Sequence, residues 1–245
     1  MNRPLVIAHR GASGDRAENT LPAFERAIEL GADMIETDLH LSRDGVIVIH
    51  HDAGLERLGE PGEIRDRTAA ELAAIDAAPE ETAAQQIPTL LDLLEGFAPR
   101  IDFNLELKVG LTAPYEGIEE LVLAAVRERG LLPRMLFSCF DDGVLERVRR
   151  IASDARIGVL VSPRAASDLF ERAERVGAEA INPHCLLVTD DLVSKAHQRG
   201  LAVYPYTANE PDEMSRLLDC GVDGVITNYP ARLAELIASR ENAAG

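Results

Sequence analysis

The amino-acid sequence predicts an α/β fold, a TIM (β/α)8 barrel with a small insertion after the second strand. Three observations lead to this prediction. Short apolar runs alternate with amphipathic stretches eight times over 245 residues, a length that suits one such barrel. Glycine follows several amphipathic stretches, as it does where helices end. The rival fold, a doubly wound sheet, needs a glycine-rich phosphate loop, which residues 9–14 (HRGASG) match poorly.

Nine short, mostly aliphatic strands are predicted. Most lack strict alternation of apolar and polar residues, which is typical of strands covered on both faces. The second and third form a hairpin, because their stretch alternates and contains the turn Arg43-Asp44-Gly45. The predicted strands are Pro4–Ala8, Met34–Leu39, Val46–His50, Asp102–Lys108, Met135–Ser138, Arg156–Val161, Glu179–Asn182, Leu201–Tyr206 and Gly224–Thr227.

Eight helices are predicted between these strands. Asp141 and Thr189 are suited to cap two of them at the N-terminus. The predicted helices are Leu21–Leu30, Thr89–Phe97, Tyr115–Arg129, Asp141–Ala152, Ala165–Val176, Asp190–Arg199, Pro211–Asp219 and Ala231–Ser239. The glycines that directly follow four of these helices are Gly31, Gly130, Gly177 and Gly200.

One region departs from the β-α alternation. Residues 53–88 contain Gly59, Pro61 and Gly62, charged stretches and a helical piece near Thr68–Ile75, and they are too long for an ordinary βα loop. We interpret them as an insertion or lid at the carboxyl-terminal face of the barrel, where substrate-shaping loops lie. No linker separates a second domain, so residues 1–245 are expected to form a single barrel domain.

Composition and charge exclude several classes of partner. The formal net charge of −17 argues against binding to nucleic acid, which needs clustered Lys and Arg, and against stable association with anionic membranes. The three cysteines are far apart and indicate neither a disulfide framework nor a CxxC metal site. The N-terminal apolar run is too short for a signal peptide or a membrane span. A cytoplasmic location is therefore expected.

Polar residues lie where the predicted strands end, which is where TIM-barrel enzymes carry their chemistry. Glu36 and Asp38 share one face of a strand because side chains alternate. If Glu106 joins them, three carboxylates repel one another unless they are protonated or hold a cation. Oxygen ligands favour Mg²⁺ or Ca²⁺. The alternative is that these acids are surface groups or pair with Arg10 and Lys108.

Two histidines accompany these acids. His9 and His51 titrate near neutrality and could act as general base and general acid. His50 precedes His51 in a predicted strand, so it points to the opposite face and is expected to be non-catalytic. Arg10 and Lys108 add positive charge, and this mixture of groups suits a phosphate ester better than a carboxylate substrate.

Taken together, eight short motifs resemble the glycerophosphodiester phosphodiesterase family, and they run in order over nearly the whole chain. Each motif alone is weak, whereas their order and spacing are specific. The motifs are His9-Arg10-Gly11, Glu18-Asn19-Thr20, Glu36-Thr37-Asp38, His51-Asp52, Ile87-Pro88-Thr89-Leu90, Leu105-Glu106-Leu107-Lys108, Ser138-Cys139-Phe140 and Gly221-Val222-Asp223-Gly224-Val225-Ile226-Thr227.

The resemblance implies hydrolysis of glycerophosphodiesters, such as glycerophosphocholine or glycerophosphoethanolamine, to sn-glycerol 3-phosphate and an alcohol. It implies one divalent cation on Glu36, Asp38 and Glu106, with His9 and His51 as the acid–base pair. It implies that the insertion resembles the family's small lid, and it leaves a homodimer open. The residues that it implies for substrate contacts are Arg10, Lys108, Glu18, Asn19, Phe140, His184 and Tyr206.

The sequence departs from the family pattern at two sites. Tyr206 stands where the family often has Trp, and Asn228 stands where it often has Asp. We expect neither change to touch the chemistry.

Two other functions stay open: a barrel like sphingomyelinase D or phosphatidylinositol phospholipase, and a barrel that binds glycerophosphate-like ligands without turnover. The former would act on lipid, yet aromatic residues make up only 4% of the chain. The latter would normally have lost a histidine or a metal-binding acid.

Overall fold

Strands and helices alternate along residues 3–244, the part of the chain that the structure, a computed structural model, describes. The strands are β1 (Leu5–His9), β2 (Met34–Leu41), β3 (Ile47–Ile49), β4 (Asp102–Leu107), β5 (Met135–Cys139), β6 (Arg156–Val161), β7 (Ala180–Pro183), β8 (Ala202–Val203) and β9 (Gly224–Thr227). The α-helices are α1 (Leu21–Glu29), α2 (Ala69–Ala73), α3 (Leu90–Gly96), α4 (Ile118–Glu128), α5 (Asp142–Ile151), α6 (Leu169–Val176), α7 (Asp190–His197), α8 (Pro211–Asp219) and α9 (Pro230–Ala244).

Eight parallel strands form a nearly closed barrel. Their order is β8-β7-β6-β5-β4-β2-β1-β9, and β3 pairs antiparallel with β2. The backbone nitrogen of Ile226 donates to Pro205 O at 2.9 Å, and that of Asp223 donates to Val203 O at 3.1 Å. These bonds link the two ends of the sheet. The predicted TIM barrel and the predicted hairpin are therefore confirmed.

Most predicted elements occur within a few residues of their predicted bounds. The predicted strand Leu201–Tyr206 is shorter, because regular pairing with β7 ends at Val203 and resumes only as an isolated bridge at Tyr206. The predicted helix Tyr115–Arg129 begins later, at Ile118, because Gly117 precedes it with φ of 81°. Asp141 and Thr189 cap α5 and α7 as predicted.

Alternation along the strands divides the barrel interior into layers. Apolar side chains pack together in the lower part of the interior, and this cluster consists of Ile7, Met34, Leu136, Ala180, Tyr204 and Ile226. Two residues further along β1 and β2 lie His9 and Glu36, and Asn228 lies two residues beyond Ile226. Because side chains repeat every second residue, the apolar layer supports a polar layer at the carboxyl ends of the strands.

The segment between β3 and α3 has a small core of its own. It contains two 3₁₀ turns, Glu56–Leu58 and Ile64–Asp66, followed by α2, which lies where the helical piece is predicted. Thr68 and Glu71 form a capping box at the start of α2. The apolar side chains of this core are Val48, Leu55, Ile64, Leu72, Ile75 and Ile87. Since Val48 belongs to β3, the segment is anchored on the hairpin.

None of the helices in residues 3–244 combines the length and the apolar character that crossing a membrane requires. The predicted domain extent also includes Met1, Asn2 and Gly245, which lie outside the described residues.

Candidate active site

A cavity of about 290 Å³ opens at the carboxyl ends of the barrel strands. Its polar side is lined by His9, Arg10, Glu36, His51, Glu106 and Lys108. The opposite side is lined by Phe140, Leu160, His184, Tyr206, Thr207 and Ile226. The structure thus brings together nine of the twelve residues that the sequence analysis proposes for the site. Of the other three, Asp38 lies at the base of the polar side in contact with Lys108, and Glu18 and Asn19 lie behind it.

Three carboxylates converge at the base of the polar side. Asp38 of β2 pairs in register with Glu106 of β4, and Glu36 lies two residues earlier on the same face. One oxygen from each carboxylate lies within 4.8 Å of the others, and all three residues are buried. This is an oxygen-only donor set of the kind that hard divalent cations prefer.

Two cations partly balance these acids. Lys108 Nζ lies 2.9 Å from Asp38 Oδ1 and 2.7 Å from Glu106 Oε1. Arg10 Nε lies 3.2 Å from Asp38 Oδ2. Glu36 instead accepts a 3.3 Å hydrogen bond from the backbone nitrogen of Arg10. The site therefore has more negative than positive charge, and Glu36 is the least compensated of the three acids.

The pKa values of the acids follow this uneven compensation. Burial raises the pKa of Glu36 well above its usual value, and the charges of Asp38 and Glu106 raise it further. Burial also opposes ionisation of Asp38, but Lys108 and Arg10 outweigh it and hold the pKa of Asp38 well below its usual range. A divalent cation would relieve the repulsion that raises the pKa of Glu36. The residues present therefore fit such a cation.

We call Arg10, Glu36, Asp38, Glu106 and Lys108 the charged wall. Behind it, Asn19 is 2% exposed. Its Nδ2 donates to Asp38 Oδ2 at 2.7 Å, while its Oδ1 accepts from the Thr37 hydroxyl at 2.7 Å. Asn19 therefore fixes the orientation of Asp38 from behind, and its side chain is outside the lining of the cavity.

The turn after β1 places Arg10 at the charged wall. Arg10 has φ of 57°, in the left-handed region that costs a non-glycine residue about 1–3 kcal/mol. Gly11 follows with φ of 81°, and a Cβ there would lie 2.7 Å from the carbonyl carbon of Ala23. Only glycine fits this approach of the turn to α1. The turn directs the Arg10 backbone nitrogen to Glu36 and its side chain to Asp38.

His9 is held by a neutral partner. Its Nδ1 lies 2.7 Å from Asn228 Oδ1, and because an amide oxygen can only accept, Nδ1 carries the proton. The other ring nitrogen, Nε2, is 3.8 Å from Glu36 Oε2. Burial, with a further contribution from the charge of Arg10, lowers the pKa of His9 to about 4. His9 is therefore neutral at pH 7, with Nε2 able to accept a proton.

His51 is held by a charged partner. Its Nδ1 lies 2.8 Å from Asp52 Oδ1, and Arg57 Nη1 lies 3.2 Å from Asp52 Oδ2. Burial and the charge of Lys108 lower the pKa of His51, while the charge of Asp52 opposes this shift. Asp52, for which sequence alone suggests no definite role, thus orients His51 from the start of the insertion.

His50 lies next to a different cavity, of about 670 Å³, between the turn after β1 and the insertion. It is 6% exposed, and its backbone nitrogen donates to Asp38 O at 3.2 Å. His51 lines the site and His50 does not. The two neighbours therefore point apart, as strand alternation predicts.

Arg57 ties the insertion to the charged wall. It lies 3.1 Å from Glu18 Oε1, and Glu18 Oε2 lies 2.8 Å from Arg10 Nη1. Ion pairs therefore run from Asp52 through Arg57 and Glu18 to Arg10. Sequence analysis does not find Arg57, because an arginine in a polar insertion carries no signal that distinguishes it from a solvated residue.

The opposite side of the cavity is mostly apolar, and we call Phe140, Leu160, Tyr206 and Ile226 the apolar wall. The rings of Phe140 and Tyr206 pack edge to face, with centroids 5.9 Å apart, and His184 packs on Tyr206 at 5.7 Å. The Tyr206 hydroxyl donates to Val161 O at 3.2 Å. The hydrogen bond that this tyrosine adds is therefore made within the protein.

One sequence expectation about the departures from the family pattern is wrong. The change at Asn228 does touch the proposed chemistry, because this residue contacts His9 directly. Its backbone nitrogen donates to Asn209 Oδ1 at 2.9 Å, which fixes its own position. The parallel pairing of β9 with β1 would have indicated this contact. Thr227 lies opposite Ala8, so the next residues, Asn228 and His9, are neighbours.

Comparison with known proteins gives a consistent result. A model of the glycerophosphoryl diester phosphodiesterase family matches residues 9–232. A glycerophosphodiester phosphodiesterase from Caldanaerobacter subterraneus subsp. tengcongensis is 36% identical, covering 96% of this chain and 98% of the relative.

Two solved structures are also similar. A phosphodiesterase from Oleispira antarctica, in complex with the product sn-glycerol 3-phosphate, has a TM-score of 0.84 and 32% identity, covering 96% of this chain and 97% of that one. A glycerophosphodiester phosphodiesterase from Thermotoga maritima has a TM-score of 0.79 and 26% identity, covering 96% of this chain and 100% of that one.

Proposed function

The chain belongs to the glycerophosphoryl diester phosphodiesterase family, whose members hydrolyse glycerophosphodiesters, and on that premise we propose a cation-assisted mechanism in which two histidines move the protons. The substrates would be glycerophosphocholine, glycerophosphoethanolamine and similar diesters, and the products sn-glycerol 3-phosphate and an alcohol. One observation carries the proposal: three buried carboxylates, two cations and two histidines surround a single cavity.

The family generally uses a divalent cation, and we propose that Glu36, Asp38 and Glu106 hold Mg²⁺ or Ca²⁺ here. The excess of negative charge among these buried groups supports this assignment. When bound, the cation would offset the negative charge that gathers on the phosphoryl oxygens. Arg10 and Lys108 would bind the same oxygens from the protein side, since both line the cavity.

The different partners of the two histidines support different roles. His9, paired with a neutral amide and with its pKa lowered to about 4, would accept the proton of the attacking hydroxyl at Nε2. His51 would donate a proton to the leaving oxygen, because of the two histidines it alone is hydrogen-bonded to a carboxylate, that of Asp52, which opposes the lowering of its pKa by burial. One group in each protonation state gives a bell-shaped pH profile.

The remaining proposed site residues divide into two groups. Phe140, His184 and Tyr206 line the cavity and would contact the substrate. Glu18 and Asn19 contact Arg10 and Asp38, so we propose that they position these two residues. We also propose that residues 53–88 form a lid within the single barrel domain, because Asp52 and Arg57 connect them to His51 and the charged wall.

Alanine substitutions test the proton-transfer roles. His9→Ala and His51→Ala should each lower kcat for glycerophosphocholine by about 10²–10⁴-fold, the usual contribution of a general acid or base. His50→Ala is the matched control, because it removes a neighbouring imidazole that lies outside the cavity lining, and it should retain kcat. A large loss in His50→Ala with retained activity in His51→Ala would refute the assignment.

A further inference from the structure

His51 lies just beyond the regular pairing of the hairpin formed by β2 and β3. Ladder pairing ends at Ile49, and the backbone nitrogen of His50 makes one further bond, to Asp38 O at 3.2 Å. The insertion begins two residues after His51. Backbone pairing with β2 therefore stops one residue before the histidine that we assign as the general acid.

The side chain of His40 continues the attachment where this pairing stops. His40 lies on β2, two residues beyond Asp38, and is 1% exposed. Its Nε2 lies 3.2 Å from the backbone oxygen of His51. Because a carbonyl oxygen only accepts hydrogen bonds, Nε2 carries a proton and is the donor. A buried imidazole thus holds the main chain of His51, while Asp52 holds its ring.

Tyr115 fixes the other side of the His40 ring. Its hydroxyl lies 2.7 Å from Nδ1 of His40, and the two rings pack edge to face with centroids 5.6 Å apart. In the neutral imidazole Nδ1 accepts from this hydroxyl, which favours the tautomer that donates to His51. Tyr115 is 5% exposed, and the guanidinium of Arg65 lies over its ring, 4.7 Å from the centroid. The insertion and the segment before α4 therefore both support His40.

We propose that His40 is a positioning residue for the general acid, and that Tyr115 assists it by fixing its tautomer. The inference rests on the proposed function, since it assumes that His51 protonates the leaving oxygen. His40 contacts the backbone of His51 and is not among the residues that line the cavity, so it acts through His51. A displacement of about 1 Å can lower the rate of an enzyme about 10²-fold, so one buried hydrogen bond can have a large effect on kcat.

Two substrates with different leaving groups distinguish positioning of an acid from general support of the fold. The alkoxide that leaves glycerophosphocholine needs a proton, whereas para-nitrophenolate, which leaves the para-nitrophenyl diester of glycerol phosphate, is stable without one. Loss of the general acid should therefore lower kcat for glycerophosphocholine much more than for the para-nitrophenyl diester. A loss of structure alone lowers kcat for both substrates to the same extent.

His40→Leu should lower kcat for glycerophosphocholine by about 10- to 100-fold with little change in KM, and it should lower kcat for the para-nitrophenyl diester by less than about threefold. His40→Gln keeps an N–H donor near the position of Nε2 and should restore most of the lost activity. Tyr115→Phe removes only the hydroxyl and should cause a smaller loss with the same selectivity, so it tests the inference even if His40→Leu does not fold.

Val48→Ala is the matched control. Val48 lies opposite His40 on β3 and packs in the core of the insertion, so this substitution weakens the same part of the hairpin without removing a hydrogen bond. It should keep the wild-type ratio of the two kcat values.

The same pair of substrates, used with His51→Ala, separates failure of the inference from failure of the proposed function. Equal losses for both substrates in His40→Leu and Tyr115→Phe, with a selective loss in His51→Ala, would overturn the inference and leave the proposed function intact. Equal losses in His51→Ala itself would contradict the acid role of His51 in the proposed function, and the inference with it.

Discussion

The two walls of the cavity lie on the same barrel rim, yet they are built in opposite ways. In the charged wall, Lys108 contacts Asp38 and Glu106 together, and Arg10 contacts Asp38 and Glu18. Asp38 and Glu106 depend on these cations for compensation, so the loss of a cation leaves buried negative charge behind. The apolar wall depends on packing between neighbours such as Phe140 and Tyr206, which tolerates changes of similar volume.

This difference separates the groups that we propose for the chemistry, in the charged wall, from those that we propose for substrate contact, in the apolar wall. Buried charges are costly to maintain, and the proposed phosphate chemistry would explain why this wall keeps five ionisable groups. The apolar wall requires no such compensation and can shape specificity. The predictions below test this contrast, beginning with the largest expected effect.

Lys108→Met should cause the largest loss. The substitution leaves Asp38 and Glu106 without their shared cation, and breaking a buried ion pair lowers the free energy of unfolding by about 3–5 kcal/mol. Loss of one positive charge at the developing phosphoryl charge should lower kcat by roughly 10²–10³-fold. Urea unfolding and steady-state kinetics measure the two effects.

The apolar wall provides the comparison for this variant. Phe140→Leu keeps an apolar side chain at the same place and should lower the free energy of unfolding by less than about 1.5 kcal/mol. Equal losses of stability in Lys108→Met and Phe140→Leu would remove the distinction between the walls.

The free energy of unfolding should also depend on pH, through the buried His40 of β2. This histidine is 1% exposed, its Nδ1 lies 2.7 Å from the Tyr115 hydroxyl, and burial lowers its pKa to about 3. Below about pH 6.5 the unfolded chain gains a proton on His40 that the folded chain does not. Stability therefore falls as the pH is lowered from about 6.5 toward 3, by up to about 1.4 kcal/mol per pH unit for this group.

Urea unfolding at several pH values checks this dependence. His40→Gln removes the titrating group, so the variant should lose less stability than the wild type between about pH 6.5 and pH 4. Parallel pH dependences for the two proteins would show that folding does not lower the pKa of His40.

Of the substitutions at Lys108, His40 and Asn228, those at Asn228 should have the smallest effect. Asn228→Ala removes the hydrogen bond that fixes the His9 ring, and loss of a bond of about 0.5–1.5 kcal/mol corresponds to roughly a three- to tenfold decrease in kcat. Asn228→Asp retains the acceptor oxygen and should restore most of the activity. Kinetics of both variants, with KM unchanged, would identify Asn228 as a positioning residue.

The pH profile of Asn228→Asp gives a second readout. A carboxylate beside His9 favours the imidazolium form, so the pKa of His9 should rise. Because His9 must be neutral to accept a proton, activity should then disappear at a higher pH on the acidic side than in the wild type. An unchanged acidic limb would mean that His9 is not the base.

Sequence alone predicts the parts of this site that depend on short-range periodicity. The spacing of Glu36 and Asp38 places them on one face of β2, and the same rule separates His50 from His51. The parallel barrel then brings Glu106 beside Asp38. These features follow from alternation and from the order of strands.

Long-range side-chain contacts are not predictable in this way. The contact between His9 and Asn228 joins residues 219 positions apart and exists because the barrel brings β9 beside β1. The pairing of Arg57 with Glu18 depends on the path of the insertion. Each is set by the closed structure and leaves no local pattern.

The most direct test of the cation-assisted charged wall is hydrolysis of glycerophosphocholine before and after chelation. We predict that treatment with EDTA abolishes hydrolysis and that Mg²⁺ or Ca²⁺ restores it, because Lys108 and Arg10 compensate Asp38 and Glu106 but leave the third carboxylate of the cluster, Glu36, without a cationic partner. Full activity in the presence of EDTA would contradict the account.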